Sequence, residues 1–161
     1  MTTFLVTNGT RPDVLSDMDH LPSQLYVSVD APTEEVYGNL CKPVEPGLWD
    51  RIVESLELMP SLDTRTVARH TLVRNWNMND IEGYARLISV AEPDFIEAKG
   101  YVFVGYSRLR MTIDNMPSHD EVRAFASRME DATGYVVAQE KPDSRVVVLT
   151  KDGGIPDPVT P

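Results

Sequence analysis

DFIEAKGYVFVGYSRLRM, residues Asp94 to Met111, is the stretch whose reading decides the fold. It begins as a buried strand and ends as a loop carrying Tyr106, Ser107, Arg108 and Arg110. Inside the strand, Glu97 and Lys99 stand two positions apart, and side chains so spaced share one face of a strand. Two charges on one face of an otherwise apolar strand are costly unless they are paired or serve chemistry.

Working outward, the neighbouring segments look built to surround that face. Upstream of Pro93, the stripe Ile81, Tyr84, Leu87, Ile88 and Ala91 predicts a helix capped within Asn77 to Asp80. A strand is expected from Arg65 to Val73. An amphipathic helix from about 47 to 59 precedes it, with Leu48, Ile52, Val53, Leu56 and Met59 at helical spacing and Pro60 at its end. Gly38 to Pro46 reads as a loop holding Cys41, after a short helical turn opened by Thr33. Leu25 to Asp30 reads as a strand, and Pro12 opens a short helix reaching about His20. Phe4 to Thr7 is a first strand, closed by the turn signal Asn8-Gly9. Downstream, Ser118 to Glu121 resembles a capping box for a helix containing Val122, Phe125, Ala126 and Met129. The runs Tyr135–Ala138 and Arg145–Leu149 flank a turn and predict a hairpin. The Pro-rich tail from Gly153 is expected to be disordered.

Strands alternating with helices imply an α/β fold with a parallel sheet and right-handed crossovers. Ligands in such sheets bind at the carboxyl ends of the strands. The first strand would expose an apolar edge, so the sheet reads as the second half of something larger.

The 161 residues, 42% apolar and 25% charged, suit one domain with a real core. No apolar run approaches the ~18 residues of a membrane span, and the N-terminus lacks the pattern of a signal peptide. The cytoplasm is the expected location. A single cysteine, Cys41, excludes a disulfide framework and an all-cysteine metal site within the chain. A net charge of −10 argues at first against nucleic acid. Yet the surplus of 25 acidic residues with few lysines (Lys42, Lys99, Lys141, Lys151) is the pattern of a halophile's cytoplasm. In that setting only local basic spots speak about ligands.

The ends of the four parallel strands collect polar residues: Thr7 and Asn8, Ser28 and Asp30, Arg69 and Thr71, Glu97 and Lys99. Taken singly, each has a structural explanation, such as a turn, a helix cap or an Arg69–Glu97 bridge. Four such groups at corresponding places point to a ligand site. His70 alternates with Arg69 and is expected to pack under a helix. Tyr106 beside Arg108 and Arg110 suits base stacking and phosphate contact with RNA. No HExxH, phosphate loop, GxGxxG or nucleophile elbow appears.

These motifs carry a resemblance. TNG at Thr7–Gly9, SVDAP at Ser28–Pro32, RxTLVxxxN at Arg69–Asn77, the run from Phe95 to Met111 and MPSHDEV at Met116–Val122 resemble the tRNA 4-demethylwyosine synthases, over about residues 4–150. The resemblance implies the parallel-stranded second half of a partial (β/α)6 radical SAM barrel of TIM-like form over 1–112. It further implies a wyosine-forming extension, a helix plus a hairpin, over 113–152, and a tail over 153–161. It implies S-adenosylmethionine and a [4Fe–4S] cluster as cofactors, with pyruvate and the 1-methylguanosine of tRNA-Phe as substrates. Thr7, Asn8 and Ser28 would lie near the cofactor, with Asp30, Arg69 and Thr71 as further cofactor or substrate contacts. Glu97 and Lys99 would face the reaction chamber as catalytic candidates, and Tyr106, Ser107, Arg108 and Arg110 would face tRNA. Between Lys99 as a Schiff-base lysine and Lys99 as an ion-pair partner of Glu97, the ion pair is expected. The chain departs from the family in lacking its CxxxCxxC motif. It is therefore expected to be a C-terminal portion, inactive alone and needing the N-terminal half of the barrel. The alternative is a tRNA-binding remnant without catalysis.

Overall fold

Residues Phe95–Gly100 form an inner strand of one six-stranded sheet. The structure, a computed structural model, describes residues 2–154. The strands are β1 (Phe4–Thr7), β2 (Gln24–Ser28), β3 (Arg65–Leu72), β4 (Phe95–Gly100), β5 (Val136–Lys141) and β6 (Val146–Thr150), in the spatial order β1-β2-β3-β4-β6-β5. The first four run parallel, as the alternation with helices requires. The expected hairpin forms, and its strand β6 adds antiparallel to β4.

The helices are α1 (Pro12–Ser16), α2 (Glu34–Cys41), α3 (Leu48–Leu58), α4 (Ile81–Ala91) and α5 (His119–Thr133). α1 is shorter than expected, because Asp17, Asp19 and His20 continue no apolar stripe. Cys41 ends a helix and does not lie in a loop: the Thr33 hydroxyl accepts from the Val36 amide at 3.3 Å and starts α2, which runs until Lys42 turns left-handed at φ 51°. β2 stops at Ser28, leaving Asp30 just beyond it. α5 carries the capping box that was expected, with the Ser118 amide donating to Glu121 at 2.7 Å and the Glu121 amide to Ser118 Oγ at 3.2 Å. Of the tail, residues 155–161 lie outside the described residues.

The two faces of the sheet differ. Leu25, Val27, Ala68, Leu72, Ile96, Ala98, Val147 and Leu149 point to one face and are buried with residues of α1, α3, α4 and α5. Each fully buried aliphatic side chain there stabilises the fold by roughly 1.5–3 kcal/mol. His70 belongs to that face, as the alternation predicts. It is fully buried, its ring 4.6 Å from that of Tyr84, with Nδ1 2.7 Å from the Val29 carbonyl oxygen. The other face carries Phe4, Val6, Tyr26, Ser28, Arg69, Glu97, Lys99 and Val148 and is open. Phe4 is 59% exposed and Val6 53% on the edge strand β1. This face, with the strand ends above it, holds the polar groups singled out in the sequence.

Candidate functional site

The register aligns the charged residues of the open face. Ser28 lies opposite Arg69, Arg69 opposite Glu97, and Thr71 opposite Lys99. Arg69 Nε donates to Glu97 at 2.7 Å, with both side chains half-buried. The Arg69 guanidinium also lies 4.4 Å from the centre of the Tyr26 ring, whose hydroxyl accepts from Gln24 at 2.7 Å. The expected Lys99–Glu97 ion pair is therefore replaced. A planar guanidinium reaching across from the adjacent strand bonds the carboxylate more effectively than a lysine two positions along the same strand. Among the described residues, Lys99 makes no ion pair. Arg69, Glu97 and Lys99 line a cavity of about 340 Å³ together with Gln139, Lys141 and Ser144 of the hairpin.

A second cavity, of about 380 Å³, opens where β1 and β2 end. Asn8, Ser28 and Asp30 line it with Tyr37, Trp49 and Arg11. The Thr7-Asn8-Gly9 turn shapes one wall. The Gly9 amide donates to Thr7 Oγ1 at 3.1 Å, and Asn8 Oδ1 accepts from the amide and hydroxyl of Thr10 at 3.1 and 2.8 Å. Buried Ser55 of α3 donates to the Gly9 carbonyl at 2.6 Å. Gly9 sits at φ +72°, a conformation that disfavours other residues, and a Cβ there would meet Val27 at 3.2 Å. Thr7 itself is in register with Val27, on the helix side of the sheet, and does not line the cavity.

Asp30 accepts from the Thr71 amide at 2.9 Å; burial raises its carboxyl above the usual range, and that hydrogen bond opposes the rise. Asn77, the last residue of the RxTLVxxxN motif, is buried and structural. Its amide group donates to the carbonyls of Asp30 and Thr71, both at 2.8 Å, and its oxygen accepts from the Val73 amide at 2.7 Å. It thus ties the ends of β2 and β3 together. Cys41 is exposed at the end of α2, yet partial desolvation of its thiol, with Asp30 nearby, pushes it up to about 11, so it stays protonated at neutral pH and makes a poor nucleophile.

The segment after β4 folds into a 3-10 turn over Gly105–Leu109. Tyr106 is 92% exposed, and Arg108 lies 5.2 Å from the Phe103 ring centre. The other two candidates anchor the segment. Ser107 Oγ lies 2.7 Å from Tyr101 Oη and donates to the Val104 carbonyl at 2.6 Å. Arg110 donates to the Leu40 carbonyl at 3.0 Å.

The structure therefore places Asn8, Ser28 and Asp30 at one cavity, Arg69, Glu97 and Lys99 at the other, and Tyr106 to Arg110 on the rim, while Thr7 and Thr71 line neither cavity. It adds Gln139 and Lys141, which sequence reasoning missed. Their alternation on β5 gives them a common face, but nothing local attaches β5–β6 to β4. Among the described residues, no three His, Cys, Asp or Glu are grouped to hold a metal ion, and one cysteine does not fit an iron–sulfur cluster. No helix among them is long and apolar enough to cross a membrane.

Comparisons with known proteins place the chain among relatives. A family model described as the radical SAM superfamily matches residues 1–88, and one described as wyosine base formation matches residues 90–151. An S-adenosyl-L-methionine-dependent tRNA 4-demethylwyosine synthase from Pyrococcus horikoshii is 52% identical over 155 residues, spanning 94% of this chain and 45% of the relative. One of the same name from Oryza sativa subsp. japonica is 41% identical over 154 residues, spanning 94% of this chain and 23% of the relative. A solved structure of TYW1 with a lysine–pyruvate adduct bound superposes with a TM-score of 0.84 at 31% identity, over 96% of this chain and 49% of that one. Archaeal TYW1 superposes with a TM-score of 0.77 at 30% identity, over 96% of this chain and 48% of that one. The chain thus spans about half or less of the length of the relatives it matches. With more than half its length matched by that superfamily's model, and with relatives similar over 94% of its length, the chain belongs to the radical SAM superfamily and is homologous to the tRNA 4-demethylwyosine synthases.

Proposed function

We propose that this chain forms the substrate side of a cytoplasmic tRNA-modifying enzyme that joins two carbons of pyruvate to 1-methylguanosine in tRNA-Phe, giving 4-demethylwyosine. The observation that carries this reading is the 52% identity, over 94% of the chain, to proteins named for that synthase activity. Residues 1–112 are the barrel portion, since β4 continues the parallel sheet, and 113–152 are the wyosine-forming extension. The thiolates of a cluster come from a complementary segment, the N-terminal half of the barrel, which closes over the open face.

The cavity beside Asn8, Ser28 and Asp30 fits S-adenosylmethionine: an amide, a hydroxyl and a carboxylate suit a ribose and an amino group, and Tyr37 and Trp49 suit a base. Bound beside a cluster, that cofactor supplies hydrogen-abstracting radical chemistry. Thr7 shapes the turn that presents Asn8, and Thr71 holds Asp30. Arg69 serves the other cavity, where its bond to Glu97 keeps that carboxylate from neutralising Lys99. Lys99 then holds the carboxylate of pyruvate as a cation. Tyr106 and Arg108 meet tRNA by stacking and phosphate contact, on a segment secured by Ser107 and Arg110.

The test combines the chain with the cluster-bearing segment of the P. horikoshii relative and assays tRNA for the tricyclic base by mass spectrometry. Lys99→Ala should abolish product and Lys99→Arg should retain part of it. Loss in both variants would assign Lys99 an amine role instead, as a Schiff-base lysine. Full activity in both would remove Lys99 from the site, and no product from the wild-type pair would overturn the reading.

A further inference from the structure

We propose that Lys141, on the hairpin strand β5, is a second anion-binding residue of the open face, acting with Lys99 on one carboxylate or phosphate held above Val146. The inference rests on the reading that this face holds substrate.

The register puts the three residues in line, with Lys99 opposite Val146 and Val146 opposite Lys141. Each strand step is ~4.8 Å, so the two lysine backbones stand about 10 Å apart. Flexible four-carbon stems close that gap onto a single anion. Neither lysine forms an ion pair among the described residues.

The nearby carboxylates are turned to other partners. Glu97 accepts from Arg69, and Glu140, which also lines the cavity, is in register with Val147 and directs its Oε2 to His119 Nε2 at 2.8 Å and Arg123 Nε at 3.9 Å. In a chain of net charge −10 with 25 acidic residues, two lysines that form no ion pair beside one cavity need a physical account. Of the other lysines, Lys151 donates to the Glu92 carbonyl and Lys42 lines the cofactor-side cavity. Gln139 and Ser144 supply neutral polar groups around the same cavity, above the apolar floor of Val146 and Val148. An ammonium is a point charge and binds a carboxylate or a phosphate oxygen alike. The anion is therefore pyruvate or a phosphate of the tRNA, and the test separates the two.

Side-chain amino groups of the 161-residue chain are followed by NMR. The four lysines are assigned by replacing each with Arg. Sodium pyruvate and a short single-stranded RNA are titrated separately at matched ionic strength. Lys99 and Lys141 should shift together with one dissociation constant for at least one anion, which identifies the source, while Lys42 and Lys151 stay still. Lys141→Ala should weaken that binding about tenfold, and Lys141→Arg should restore most of it. The proposal is overturned if Lys99 shifts alone, if Lys141→Ala binds as the wild type does, or if neither lysine responds to either anion. A silent Lys141 beside a product assay that still depends on Lys99 leaves the functional reading standing without it.

Discussion

Arg69 and Glu97, in register on adjacent parallel strands, bond at 2.7 Å on the open face of the sheet while the guanidinium lies over the Tyr26 ring. Both side chains are largely shielded, at 24% and 14% exposure, so the pair falls between a surface bridge and a fully buried one. Removing one partner strands the other charge. Arg69→Ala should lower the unfolding free energy by about 2 kcal/mol, measured in urea, with Glu97→Gln costing less because the amide still accepts. A double-mutant cycle with no coupling would show that the pair holds nothing.

Burial pushes His70 down to about 4, below its ordinary 6.5. The unfolded chain therefore takes up a proton between those values when the native chain does not, so stability is full above pH 6.5 and falls as pH drops towards 4. The loss amounts to about 3 kcal/mol. His70→Leu, compared with the wild type in urea at pH 7, 5.5 and 4.5, should lack this share of the pH dependence. Identical slopes would mean that His70 is protonated in the native core.

Gly83 lies in the first turn of α4, where alanine would ordinarily favour the helix by roughly 1 kcal/mol. Here an added Cβ would stand 2.6 Å from Asp80 Oδ2 and 2.7 Å from Pro32 Cβ. Asp80 caps the helix through the Gly83 amide at 2.8 Å, so the clash breaks the cap as well. Gly83→Ala should lower the melting temperature, with a net cost of about 1 kcal/mol or more. A rise would show that the Pro32 loop yields freely.

Cys41 is the one thiolate source in the chain, and its thiol is pushed up to about 11. Anaerobic reconstitution of the chain alone with iron and sulfide should yield no stoichiometric [4Fe–4S] absorbance. A full complement of cluster would refute the assignment of its ligands to a complementary segment.

The acid surplus should make folding depend on salt. Screening of carboxylate repulsion shrinks to ~3 Å at 1 M salt. Raising KCl from about 0.1 to 2 M should lift the melting temperature by on the order of 5 °C. A flat or falling curve would count against a high-salt origin for the sequence.

The order of elements, the parallel sheet and the face assignment of His70 were legible in the sequence, because period-two and period-3.6 patterns are local properties of the chain. So were the Ser118–Glu121 cap and the strand-end positions of Asn8 and Ser28, since turn and cap chemistry acts over a few residues, whereas Glu97 lies within β4 and not at its end. For Glu97 the sequence offered two partners, Arg69 and Lys99, and did not decide between them. Its partner is 28 positions away in sequence and was chosen by the register of β3 against β4. The role of Asn77, whose three bonds join the ends of two strands, was not legible. The opening stretch shows the limit most plainly. Its alternation alone placed Glu97 and Lys99 on a common face. Only the tertiary structure gave Glu97 to Arg69, left Lys99 without a carboxylate, and brought Lys141 beside it, because strand pairing between distant segments is decided by packing and not by spacing along the chain.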